Sequence, residues 1–201
     1  MKCKLVILAA SLSLVTGCST TSDVAPYEVP VQNRTTYNAA PYGASAQNVE
    51  TLKSYNLRPV SVGTFQISSD PKIVRSPATA SMQCRGVMLV TASPSFEAYI
   101  EQAFIEELKL AGIYDASSHL VLTGKLNRID LSSALGDSYW SFRLTLTNAR
   151  NERFTTDTIV KFQSSFTGWN ACAGIAQEFA PAVQKLITDV IKNPKFREIA
   201  N

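Results

Sequence analysis

The sequence predicts an α+β domain. It is a two-layer sandwich, with a mainly antiparallel sheet of about five strands carrying two amphipathic helices on one face, in the order β-β-α-β-β-β-α. Two observations predict it. Three neighbouring stretches between residues 119 and 166 alternate apolar and polar residues, the pattern of strands with one face in a core and one in water. Two other stretches, starting near residues 93 and 170, each carry a single apolar stripe at helical spacing. A one-sided sheet and one-striped helices bury their apolar surfaces by packing on one another. The chain has 201 residues, 45% of them hydrophobic, which suits one domain with its own core.

The first element is a leader, residues 1–17. Lys2 and Lys4 form a positive start, and residues 5–15 are an apolar run too short to cross a bilayer. It ends Val15-Thr16-Gly17-Cys18, with small residues before a cysteine. This resembles the lipobox of bacterial lipoproteins. The resemblance implies a diacylglyceryl group on the Cys18 sulfur, cleavage between Gly17 and Cys18, and acylation of the new amino terminus. The alternative is an ordinary secretory signal in which the cysteine is incidental. No later apolar run reaches the roughly 20 residues of a membrane helix. Lipid alone then holds the chain to the membrane, and a multiply acylated cysteine meets the requirement for stable anchoring.

Residues 18–52 read as the lipidated cysteine and a flexible tether. Their Ser, Thr, Asn, Ala and Pro content leaves too little apolar surface to offset the entropy of ordering. A tether of about 32 residues spans roughly 30–35 Å r.m.s.. Residues 53–201 read as the single domain. Its first strand, residues 57–67, switches apolar parity from Val60 and Val62 to Phe65 and Ile67 across Gly63, which predicts a bulge. Residues 68–83 read as a long loop with a short strand at 72–74. The nearly unbroken apolar run 86–92 is a strand covered on both faces or placed centrally.

The first helix is capped by Ser93, has Pro94 in its first turn, and ends at Gly112 in the C′ position. Phe96, Ile100, Ala103, Phe104, Leu108 and Ala111 form its stripe. Residues 119–131 alternate with a phase slip between Leu126 and Ile129. In residues 139–147, Trp140, Phe142, Leu144 and Leu146 share one face. Residues 148–152 supply a turn, after which Phe154, Thr158, Val160, Phe162 and Phe166 point inward along residues 153–166. The last helix spans about 170–192, capped by Asn170, kinked at Pro181 and stopped by Pro194.

Cys3 leaves with the leader and Cys18 takes lipid, so Cys84 and Cys172 remain as an even pair in an exported chain. They are expected to form a disulfide; the alternative is two free buried thiols. Loss of Lys2 and Lys4 leaves 17 of the 19 basic residues against 16 acidic ones, a balance with no electrostatic footprint for nucleic acid. A CxxC motif, a GxSxG elbow and a phosphate-cradling glycine loop are all absent, and no cofactor is expected. His119 is the sole histidine and stands without companion ligands, so no metal site is expected. A nucleophilic triad built on His119 would need partners brought in by the fold.

The order of elements, with the sequence EELKLAGIYD at residues 106–115, is similar to a group of bacterial envelope lipoproteins. The group includes the TolB amino-terminal domain, LpoB and the YajG-type proteins. The resemblance covers residues 57–192 and brings no catalytic or binding motif. It implies a non-enzymatic adaptor or accessory factor in envelope assembly or maintenance, with an envelope protein as partner. Ser19, rather than Asp, after Cys18 implies the outer membrane, with the domain in the periplasm. The expected partner face is the polar side of the sheet, Arg143, Thr145, Lys161 and Gln163, or an open sheet edge that accepts a strand. The plain alternative is that this face is simply hydrated. A second hypothesis is a carrier binding a small apolar ligand or lipid in a helix–sheet cleft. Phe96, Phe104, Phe142, Phe162 and Phe179 would line that cleft, although the same rings are what a core requires.

Overall fold

The structure, a computed structural model, describes residues 35–68, 81–86, 88–163 and 165–201. The leader, Cys18, the first part of the tether and the strand expected at 72–74 lie outside the described residues.

Three long strands form the spine: β6 (Val121–Ser132), β7 (Ser138–Asn148) and β8 (Arg153–Phe162). They pair antiparallel in that order, as their alternation requires. The phase slip in β6 is a bulge: Leu126 faces Leu144 and Arg128 faces Arg143, leaving Asn127 as the extra residue. Two short strands, β2 (Ser61–Val62) and β3 (Gln66–Ile67), pair parallel with β6 and complete a five-stranded mixed sheet. Ser61 faces Val121 and Gln66 faces Lys125, so five steps on one strand match four on the other. The bulge expected around Gly63 is this interruption.

A second sheet was not expected. It has three strands in the order β1 (Thr36–Asn38), β5 (Met88–Thr91), β4 (Ser81–Cys84). The apolar run holding β5 is thus central, but in this small sheet, and β4 occupies ground read as loop.

Among the described residues there are five helices, where two were predicted; four lie against the large sheet, the α+β arrangement predicted, and the fifth packs on two of the others. The tether boundary at residue 52 is corrected by α1 (Ala46–Ser54), in which Val49 and Leu52 are buried against the body. Helix α2 (Phe96–Leu110) starts later than expected. Ser95, not Ser93, has extended backbone and accepts the Ala98 N–H on its hydroxyl, while Pro94 sits in the preceding bend. Gly112 takes φ +75° just past the helix, as expected.

The helix predicted over about 170–192 is two helices, α3 (Gly168–Gln177) and α4 (Phe179–Lys192), and a third, α5 (Pro194–Ile199), follows where the helix was expected to have stopped. Pro181 explains the first break. Its ring clashes with the carbonyl of Gln177, four residues back, so α3 ends there. Pro181 then falls in the first turn of α4, where its missing N–H costs nothing. Thr167, not Asn170, caps α3 by accepting the Asn170 N–H. Pro194 opens α5 instead of leading into a tail, and Phe196 of that helix is buried.

The core lies between this helical layer and the sheet. Trp140, Phe142, Leu144 and Leu146 all point into it, as alternation predicted. Phe179 is its aromatic centre, with ring centroids 4.8 Å from Trp140, 4.9 Å from Tyr99 and 5.2 Å from Phe96. The Trp140 indole N–H donates to the Ile175 carbonyl at 2.8 Å, satisfying its one polar atom. Phe166 departs from the prediction. β8 ends at Phe162, and four residues later Phe166 is 84% exposed.

Candidate functional site

The large sheet has one face under helices and one face outward. Period-two alternation puts Arg143 and Thr145 of β7 on the outer side, beside Asp157 and Thr155 of β8. Arg143 donates from Nε and Nη2 to the two Asp157 oxygens at 2.8 and 3.1 Å, a forked pair. Those bonds, and then the Asp157 charge, raise the Arg143 pKa above its usual value. Arg128 approaches the same carboxylate at 3.5 Å. Next along the strip, Asn127, the bulge residue, donates to the Thr145 hydroxyl at 2.7 Å, and Thr145 and Thr155 share a 2.7 Å bond. The bulge in β6 therefore aims a polar side chain at the row that the flat pleat would have missed.

The four residues expected as a partner face fall into two groups. Arg143 and Thr145 sit mid-strand and are already bonded to neighbours. Lys161 lies near the end of β8, opposite Tyr139, and Gln163 just beyond it. Both are exposed. A shallow hollow between the groups is walled by Arg128, Asp130, Asp137, Tyr139, Ser141, Ile159 and Lys161. Ile159, 59% exposed, is an apolar residue set in this polar face. β8 ends the sheet order, so among the described residues no strand pairs with its far edge.

Cys84 and Cys172 are joined, with Cα atoms 5.8 Å apart across 88 positions of sequence, tying β4 to α3. The five phenylalanines named for a cleft are packed on core neighbours, four of them buried and Phe162 partly so. His119 is exposed at the rim of a hollow with Arg58, Asp115, Ser117 and Arg150. The Asp115 carboxylate accepts from the Ser117 N–H and hydroxyl, both at 2.8 Å, and these bonds lower its pKa. Ser117 is thus bonded to Asp115 directly, without His119 between them. Among the described residues no cluster of His, Cys, Asp and Glu has the makings of a metal site.

No family model matches this chain. Nor does any curated protein. Among solved structures it is similar to the crystal structure of protein XCC0632 from Xanthomonas campestris, a DUF330 protein, at 14% identity and a TM-score of 0.48. The similarity covers 78% of this chain and 95% of that one.

Two features escaped the sequence reading. One is the buried Glu107 of α2, whose Oε1 accepts from the Tyr42 hydroxyl at 2.6 Å, the Ser45 N–H at 2.9 Å and the Asn48 amide at 3.2 Å. The only signal for it was a glutamate on the helix flank next to the apolar stripe. The other is a group of exposed large apolar side chains at one end of the domain, Leu135, Phe166 and Trp169.

Proposed function

We propose that this chain is a lipid-anchored protein of the bacterial outer membrane whose domain acts in the periplasm as a non-enzymatic adaptor in envelope assembly or maintenance. The leader and Cys18 support the anchor. The Cys84–Cys172 bond supports an oxidising compartment, because cytosolic thiols are kept reduced.

The observation that carries the adaptor reading is the far edge of β8. It is ten residues long and unpaired by any described strand, with Ile159 exposed beside it. An added strand finds main-chain donors and acceptors along such an edge, and alternate side chains read its sequence. Arg153, Asp157 and Lys161 flank Ile159 on the outward face and discourage indiscriminate pairing, as charges on natural edges do.

The test is a photo-crosslinking residue placed at Ile159 in the native host, with the same residue at Leu110 as a control remote from the edge. One stoichiometric envelope partner is expected at Ile159 and none at Leu110. Thr155→Lys, four residues before the probe on the same face of β8, should reduce the yield while leaving the unfolding midpoint in place. Absence of a specific product from folded, acylated protein would remove the adaptor reading.

A further inference from the structure

Five large apolar side chains are strongly exposed among the described residues, and three of them share one end of the domain. Leu135 (51% exposed) is in the β6–β7 turn, Phe166 (84%) in the loop before α3, and Trp169 (59%) in the first turn of α3. Specific contacts draw these segments together. Arg85, in the β4–β5 turn, donates to the Ser133 carbonyl of the β6–β7 turn at 2.7 Å. A Cβ on Gly168 would stand 3.1 Å from Met88 and 3.5 Å from Arg85, so the start of α3 rests on the same turn. Trp169 meets Tyr37 of β1 edge-on at 6.0 Å.

The register shows where the chain enters. β1 runs parallel to β5 with Thr36 opposite Leu89, so Thr35 stands beside the start of β5 at this same end. Seventeen residues, Cys18 to Arg34, precede it, and that length spans at most about 60 Å. The exposed aromatic end is therefore the one from which the chain leads back to the anchoring cysteine.

We propose that Leu135, Phe166 and Trp169 form a docking surface for the lipid bilayer that carries the anchor, laying this end of the domain against the membrane interface. This rests on the lipid anchor proposed above. Tryptophan suits the boundary of headgroups and acyl chains, where its apolar ring is buried and its N–H edge stays wet, and phenylalanine and leucine add apolar surface to the same contact. Arg85 and Lys161 are exposed near this end and meet anionic headgroups, with Asp130 and Asp137 the acidic residues of the hollow that Lys161 lines. A tether raises the local concentration of the docking surface at its own membrane, so weak apolar contacts suffice. The outward face of the sheet and the edge of β8 then stand in a set orientation to the membrane.

The chain's two tryptophans make the test selective, since Trp140 is buried in the core and Trp169 is exposed. Full-length protein purified from host membranes is mixed with phosphatidylethanolamine–phosphatidylglycerol vesicles, with or without acyl chains brominated near the headgroup. The mass of its N-terminal peptide states whether Cys18 is acylated. Docking predicts a blue shift and loss of emission in the brominated vesicles. Trp169→Phe should abolish the loss and Phe166→Ser should weaken it. Leu110→Ser, an exposed change at the end of α2, should leave it intact. An unchanged unfolding midpoint shows that each variant is folded. Acylated protein without quenching overturns the docking surface and leaves the anchor standing. Unacylated protein that is still quenched supports docking while the anchor fails, and unacylated protein without quenching overturns both.

Discussion

Glu107 shows how one side chain fixes a stretch of sequence with little apolar content. Its carboxylate is buried in α2, and one oxygen gathers three donors from residues 42–48. The other oxygen is buried without a hydrogen-bond partner among the described residues, so breaking the three bonds would leave a costly group in the interior. Burial first, and then the hydrogen bond to Glu107, push the Tyr42 phenol well above its ordinary pKa of 10.0. Burial, and then the Glu106 charge, push Tyr99 up to about 12. Both phenols hold their protons more tightly folded than unfolded, so above pH 10 the unfolded chain ionises first. Stability is therefore complete below pH 10 and declines as pH rises beyond it. Urea unfolding at pH 8 to 12 should show that decline, and Tyr42→Phe should flatten it; a decline of the same slope in the variant would place its cause elsewhere. Gly124 makes a second residue-scale case, since a Cβ there would lie 2.6 Å from the buried Phe65 ring. A lone glycine in an alternating strand signals such a close approach. Gly124→Ala should cost about 1–3 kcal/mol, the range for overpacking, by chemical denaturation.

Among the elements, those with one dry face were legible and those held by polar contacts were not. β7 reads from its sequence because Trp140, Phe142, Leu144 and Leu146 alternate over the whole strand. The bulges in β6 and between β2 and β3 read equally well, because an extra residue reverses the parity of every residue after it. Helix α1 was hidden. Its buried side is Asn48, Val49 and Leu52, and Asn48 is buried by hydrogen bonds to Glu107 and to the Gln184 carbonyl. β1 and β4, at three and four residues, are too short to show a period. On the candidate surface, Arg143 and Thr145 were placed outward by alternation, whereas Phe166 was placed inward by extending that alternation past the end of β8. Proline misled in a related way at Pro194, which begins α5 as readily as it ends α4. That helix closes the core: Phe196 packs edge-on against Phe104 at 6.3 Å, while Ile199 is buried with it. Phe196→Ala should destabilise the domain by about 3–5 kcal/mol, as for other buried phenylalanines. A loss below about 1 kcal/mol by urea titration would mean that α5 is not part of the cooperative unit.

At the scale of the whole molecule, the large sheet is joined to a small one whose strands come from distant parts of the chain. β1 and β4 bring only three and four residues each, so this sheet buries little by itself. Packing of α3 on β5 and β1, and the Cys84–Cys172 bond from β4 to α3, hold it in place. The bond closes 88 positions of sequence, and a loop of that length restricts the unfolded chain by about 4–5 kcal/mol in the chain-entropy account. Domains of this size are stable by only about 5–15 kcal/mol, so the bond accounts for a large share of the total. Its removal should act on the unfolded state by freeing the loop, and serine at these two buried positions adds a folded-state cost for each hydroxyl taken out of water. Cys84→Ser with Cys172→Ser should therefore keep the native circular dichroism yet unfold at a markedly lower urea concentration. Dithiothreitol should reproduce that shift in the parent protein and do nothing to the double variant. A shift of less than about 1 kcal/mol in either experiment would show that helix packing alone holds the small sheet, and would remove the stability argument for folding in an oxidising compartment.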